Sequence, residues 1–228
     1  MRNFLEERKI HSETLGFDLG ELEQGTENWH TARAGVVTAS KASLLLMGRD
    51  TQGRKTYIDE LVASVATGQV KEEITAKALQ WGKDYEQSAQ DAYSAATFET
   101  VINHGFIYMD DSMRAGISPD GIISGQSKGL ELKCPYSSGV WAGFAGRGFI
   151  KKEEAAQVQF SLLATDFDKW AFAKFDPRNI YCKKLHHIEI GRDEKMITKL
   201  RDGLESFIED MDESLQKLGL NFGTQWES

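Results

Sequence analysis

The sequence predicts an α/β or α+β domain, with a central mixed β-sheet flanked by helices. Three observations predict it. A long amphipathic helix pattern covers residues 76–97. Four short segments with a period of two follow between residues 105 and 133. A helix, two strands and a closing helix complete the chain. At 228 residues, with 40% hydrophobic and 27% charged side chains, the chain suits a single domain with a sizeable core.

Taken in order, residues 1–25 are polar and charged and predict no more than a short helix. Residues 26–34, TENWHTARA, predict a helix with Thr26 as N-cap and Trp29 in its first turn. Ser40 is placed to cap a second helix over residues 41–47. Residues 48–56, GRDTQGRKT, form a polar basic loop, and a helix covers 57–67. On the 76–97 helix, Leu79, Gly82, Tyr85, Ala89 and Tyr93 share one stripe, and Glu86 interrupts it. Strands are expected at 105–109, 114–118, 121–124 and 129–133. A glycine-rich segment covers 139–149, a helix about 152–165, and strands 169–175 and 185–190. The last helix, 194–218, carries Ile197, Leu200, Leu204, Phe207 and Met211 at helical spacing and is expected to serve packing alone.

Composition excludes several classes. No stretch approaches the roughly 20 apolar residues of a membrane span. The N-terminus lacks the apolar run of a secretory signal, so a cytoplasmic location is expected. Cys134 and Cys182 are the two cysteines, and their separation suits neither a disulfide framework nor a zinc site. The adjacent His186 and His187 point to opposite faces of a strand. The net charge of −8 opposes a nucleic-acid partner for the surface as a whole, but binding requires only a local basic lining.

One constellation carries chemistry. Alternation along a strand projects Glu131 and Lys133 together while Leu132 points to the core. Residues 121–129, GIISGQSKG, can fold back as a hairpin, which sets Asp120 beside Glu131. Two carboxylates and an ammonium at one strand end suit metal-dependent phosphodiester hydrolysis. Carboxylate oxygens and the Leu132 carbonyl would ligate Mg²⁺, and Lys133 would orient water and steady developing negative charge. Glu86 is costly on an apolar stripe unless paired or bound to a cation; its plainer reading is a carboxylate that snorkels to solvent. Gln159 shares a face with Ala155, Ala156, Leu162 and Leu163. Its amide would hold a water or a ligand carboxylate, or is simply a satisfied core amide. Arg33, Thr38 and Ser40 form a second cluster with the character of a phosphate pocket, the plainer reading being a surface arginine and an ordinary cap.

The blocks ENWHTARAGVVTAS, AKALQWGKDYE, SPDG, GLELKCP, AAQVQFS, DPR at 176–178 and FGTQW occur in an order that resembles the lambda exonuclease family of phage recombination nucleases, over about residues 22–226. The resemblance implies a restriction-endonuclease-like core. It implies Mg²⁺-dependent 5′→3′ digestion of one strand of linear double-stranded DNA to mononucleotides, leaving a 3′ single-stranded tail. Two metal ions per site are implied, with Mn²⁺ able to substitute. Also implied are a homotrimeric ring and a single-strand annealing partner, in a phage or prophage protein of a bacterial host. By the same resemblance Asp120, Glu131, the Leu132 carbonyl and Glu86 are metal-site groups, Lys133 is catalytic and Gln159 lies near the metal-bound water. Arg33, Ser40 and Ser118 match a 5′-phosphate pocket, and Leu79 an apolar residue that helps part the strands. Two departures stand out: residues 1–20 match poorly, and the 48–56 loop is shorter and less aromatic, with Arg49 or Arg54 as candidate replacements for its DNA contact. An endonuclease or nickase on the same core, or a non-catalytic DNA-end-binding scaffold, are the alternative functions.

Overall fold

The computed structural model describes residues 4–70 and 77–227. The elements run α1 (Phe4–Leu15), α2 (Glu27–Arg33), β1 (Val37–Thr38), a 3-10 helix (Ala39–Leu46), α3 (Gln52–Thr67), α4 (Lys77–Thr97), β2 (Val101–Ile102), β3 (Ile107–Tyr108), β4 (Ala115–Ile117), β5 (Gly121–Ile123), β6 (Lys128–Lys133), α5 (Ser138–Arg147), α6 (Lys152–Thr165), β7 (Lys169–Phe175), β8 (Leu185–Gly191) and α7 (Glu194–Lys217). The mixed α/β architecture predicted from the sequence is the one observed.

The strands form two sheets. One has three strands in the order β1-β4-β3, and the other five in the order β2-β5-β6-β7-β8. Both are mixed: β1 runs parallel to β4 and β6 parallel to β7, while the remaining pairs are antiparallel.

Period-two alternation divides the core. Leu130 and Leu132 of β6 and Ala171 and Ala173 of β7 pack with Ala89 and Tyr93 of α4. Trp170 and Phe172 of β7 point the other way and join Phe144 of α5, Val158 and Leu162 of α6 and Leu200 of α7. Glu131 alternates with Leu130 and Leu132 and so faces the α6 side. Gly129 is needed where it stands: a Cβ there would lie 2.3 Å from the Trp170 ring, its neighbour in register.

Several expectations are corrected. Ser40 caps no α-helix; residues 39–46 form a 3-10 helix whose N-cap is Thr38, without a side-chain capping bond. The basic loop is shorter than expected, because α3 already begins at Gln52. The glycine-rich segment is the helix α5; Trp141 and Phe144 bury one face, and Gly148 ends it at φ 64. The pair β2 and β5 adds a strand that no sequence pattern marked. Residue 76, expected to open α4, lies outside the described residues.

Candidate active site

Asp120 stands where the chain leaves the three-stranded sheet after β4 and enters the five-stranded sheet at β5. The hairpin of β5 and β6 pairs Gly121 with Leu130. This register brings Asp120 alongside the next residues of β6, and its Oδ2 accepts a hydrogen bond from the Leu132 N–H at 2.6 Å. Gln90 of α4 fixes the turn by donating to the Asp120 carbonyl at 3.2 Å.

Glu131 and Lys133 meet on the face of β6 turned to α6. Lys133 Nζ lies 2.6 Å from Glu131 Oε1. Gln157 completes a closed triangle: its Nε2 donates to Glu131 Oε1 at 2.7 Å, and its Oε1 accepts from Lys133 Nζ at 3.3 Å. A fully buried cation stands next door. Lys174 pairs in register with Lys133, and its ammonium donates to both oxygens of Glu154, at 2.8 and 3.0 Å.

The electrostatics follow from setting Asp120 and Glu131 beside one ammonium, with the charge of Glu86 also felt. Burial holds the Asp120 carboxyl well above the usual carboxylate range, and the nearby charges of Glu131 and Glu86 push it further. Glu86 is likewise raised, by burial and then by Glu131. Burial would lower the Lys133 ammonium, but Glu131 and Asp120 outweigh it and keep the lysine protonated. The Cys134 thiol is pushed up to about 12 by burial and by Glu86, Asp120 and Asp176, so it is no thiolate nucleophile near neutrality.

Asp120, Glu131 and Lys133 are thus brought together, and Glu86 is close enough to feel the charges of Glu131 and Lys133. Gln159 is not among them. It lies two positions beyond Gln157 on α6, and its amide donates to the Gly191 carbonyl at 2.9 Å and accepts from the Asp193 N–H at 2.8 Å. Gln159 holds the start of α7 and is the satisfied core amide of the plainer reading. Gln157 is the residue the sequence reading missed, although it lies in the same AAQVQFS block.

Arg33 and Ser118 are joined through Trp29. The Arg33 guanidinium stacks 3.7 Å from the Trp29 ring centroid, and Trp29 Nε1 donates to Ser118 Oγ at 3.0 Å. The parallel pairing of Thr38 with Gly116 sets Thr38 and Ser40 near this end of β4, with their hydroxyls 3.3 Å apart. Tyr57 accepts from the Thr38 N–H at 3.1 Å, and burial raises its hydroxyl pKa. Leu79 is half-buried in the first turn of α4. Arg54 is 1% exposed and bound to Asp210 and Ser206, so it is a core cation and not a DNA contact. Arg49 is exposed but also engages Asp210.

The donor set suits a hard divalent cation: oxygen ligands in a partly desolvated place with more negative than positive charge. Among the described residues, no three His, Cys, Asp or Glu side chains converge into a ready-made cage. The set therefore rests on two adjacent carboxylates and backbone oxygen, with Glu86 at longer range.

A family model for the YqaJ-like viral recombinase domain matches residues 28–168, which include every group of the carboxylate cluster. The chain belongs to this family, in agreement with the lambda-exonuclease-type resemblance of its sequence blocks. The fold is that of LHK-Exo, an alkaline exonuclease from Laribacter hongkongensis; the match has a TM-score of 0.77 and 27% identity, over 85% of this chain and 96% of that one. The structure of LHK-Exo in complex with dAMP matches with the same TM-score and coverage at 28% identity. ExoD of Escherichia coli (strain K12) is 43% identical over 77 residues, which are 34% of this chain and 87% of that protein.

Proposed function

We propose that the protein is a Mg²⁺-dependent 5′→3′ exodeoxyribonuclease. On this reading it degrades one strand of linear double-stranded DNA from a 5′-phosphorylated end, releases mononucleotides and leaves a 3′ tail for recombination by strand annealing. The observation that carries the reading is the junction of Asp120 with Leu132, Glu131, Lys133 and Gln157. It is supported by the likeness to an alkaline exonuclease over most of both chains, and by that enzyme's complex with a deoxynucleotide.

Asp120, Glu131 and the Leu132 carbonyl would hold the metal, with Glu86 as an additional carboxylate. The bound cation would lower the pKa of a water and polarise the scissile phosphate. Lys133, kept protonated by its neighbours, would face the charge that develops on phosphate oxygens. Gln157 bridges Glu131 and Lys133 and so fixes the angle between ligand and cation. Arg33, linked to Ser118 through Trp29, would take the terminal 5′-phosphate together with Ser40, which supports the polarity. A homotrimeric ring and an annealing partner belong to the same proposal. No helix among the described residues is long and apolar enough to cross a membrane.

The test supplies linear duplex and a covalently closed plasmid with Mg²⁺ or Mn²⁺. Loss of label from the 5′ end of the linear DNA, with the circle intact, is the expected result, and Asp120→Asn should bind ends without cutting. Efficient cutting of the circle would instead make the protein an endonuclease. A wild type inert with both metals that still binds ends would make it a scaffold.

A further inference from the structure

Beside the carboxylate cluster lies a group of flat side chains that the chemistry above does not use. Trp81 and Tyr85 occupy successive turns of α4, just ahead of Glu86, with ring centroids 4.4 Å apart. Tyr136, which follows Lys133 by three positions, meets the Trp81 ring edge-on at 88°, with centroids 5.8 Å apart. Arg178 lays its guanidinium 4.5 Å from the Trp81 centroid.

The arginine is built as a surface rather than as a phosphate clamp. Its Nε and NH2 donate to the two oxygens of Asp176 at 2.8 and 2.9 Å, and Asp176 is fully buried. That pairing balances the charge and fixes the plane of the guanidinium. A charge-balanced guanidinium beside aromatic rings suits a neutral, flat π-system better than an anion. Tyr136 is 52% exposed, far more than a ring packed only for stability, and the Arg178 side chain is 41% exposed. Trp81 Nε1 has no hydrogen-bond partner among the described residues.

We propose that Trp81, Tyr136 and Arg178 form a stacking platform for a nucleobase of the strand being cut, within its first three nucleotides from the 5′ end. This rests on the nuclease reading above and adds a subsite to it. Along the chain, Tyr136 follows Lys133 by three residues, while Ser118, tied to Arg33 through Trp29, precedes Asp120 by two. A strand whose 5′-phosphate is held at Arg33 and whose phosphodiester reaches Asp120 would carry its next bases toward Tyr136. Stacking of this kind tolerates any sequence, because every base has a π-face.

The test measures affinity for 5′-phosphorylated duplex in Ca²⁺, without turnover, with an abasic site placed at each of the first three positions in turn. One abasic position should weaken wild-type binding by roughly 5- to 150-fold, the range set by base–aromatic stacking. Tyr136→Ala should lose as much on intact DNA and nothing further on that abasic duplex. Tyr136→Phe should restore the affinity, and Tyr136→Leu, which keeps apolar bulk without a ring, should not. Thermal midpoints should stay close to wild type, because the ring is half exposed. Unchanged binding by Tyr136→Ala, or losses that multiply with the abasic loss at every position, would overturn the platform. Separately, a wild type that shows the coupling in Ca²⁺ yet cuts nothing in Mg²⁺ or Mn²⁺ would overturn the nuclease reading and leave the platform standing. Absence of any binding to linear duplex would overturn both.

Discussion

Gln157 and Gln159 show how much one helical position decides. Two steps along an α-helix turn a side chain by about 200°, so the two amides face different elements. Gln157 meets Glu131 and Lys133, while Gln159 meets Gly191 and Asp193. The sequence marked Gln159 as a polar residue on an apolar face, a signal that detects burial but does not name the partner. Gln157 carried no such signal, because it lies at the rim of the buried face. Substitution should separate the two. Gln157→Ala is expected to lower the cleavage rate by about 10- to 100-fold, the usual effect of losing a group that orients a metal-site ligand, with little change in melting. Gln159→Ala removes two hydrogen bonds that tie α6 to the start of α7 and should cost about 1–3 kcal/mol of stability, with the rate per folded molecule retained. Rate assays and urea titrations on both variants decide it; a rate loss confined to Gln159→Ala would reverse the assignment.

At the scale of elements, the sequence was most legible where periodicity was strong. The α7 stripe of Ile197, Leu200, Leu204, Phe207 and Met211 is buried as its spacing required. The hairpin that carries Asp120 to Glu131 was legible too, from alternation and turn residues. The helix α5 was not, because each glycine in a helix costs up to about 1 kcal/mol and local preference spoke against it. Packing of Trp141 and Phe144 overrides that preference, and packing is a tertiary fact. Arg54 stayed a candidate for the DNA contact for a related reason: in a polar segment nothing showed that α3 would turn it inward to Asp210 of α7. Burial raises the Asp210 carboxyl, but hydrogen bonds from Arg49 and Arg54 outweigh it and hold it below its ordinary value of 3.8. The stabilisation is therefore complete above pH 3.8 and drains away as pH falls through the depressed native value. Asp210→Asn strands a buried guanidinium and should cost of order 3 kcal/mol near neutrality. The stability gap to wild type, read from urea midpoints, should hold from pH 7 down to about 4.5 and narrow only in stronger acid. A gap that closes between pH 7 and 5 would point to a different titrating group.

At the scale of the molecule, the net charge of −8 has to be reconciled with a polyanionic substrate. The structure separates the problem spatially. Buried cations such as Arg54 and Lys174 are spent on internal carboxylates and offer DNA nothing. In the proposed function, recognition falls to a few groups at one junction, and these come from distant parts of the chain. Residues of α2 reach Ser118 because β1 pairs in parallel with β4. No local pattern in the sequence encodes that approach; only the family blocks hinted at it. Stacking on Trp29 fixes the Arg33 plane, and in the proposed function this would let Arg33 read one end of one strand instead of neutralising duplex at large. End chemistry should therefore matter more than total charge. Wild type is expected to degrade 5′-phosphorylated duplex faster than 5′-hydroxyl duplex by about 10- to 150-fold, the worth of hydrogen bonds to a charged group. Arg33→Ala should bring the ratio near one by slowing only the phosphorylated substrate. Trp29→Ala should narrow it as well, because the indole orients the guanidinium and holds Ser118. Raising the salt should slow both substrates together and leave the ratio largely in place, since a contact inside a pocket is screened less than exposed charge. Equal rates for the two ends in wild type would remove Arg33 from the phosphate site and, with it, the structural basis proposed for 5′→3′ polarity.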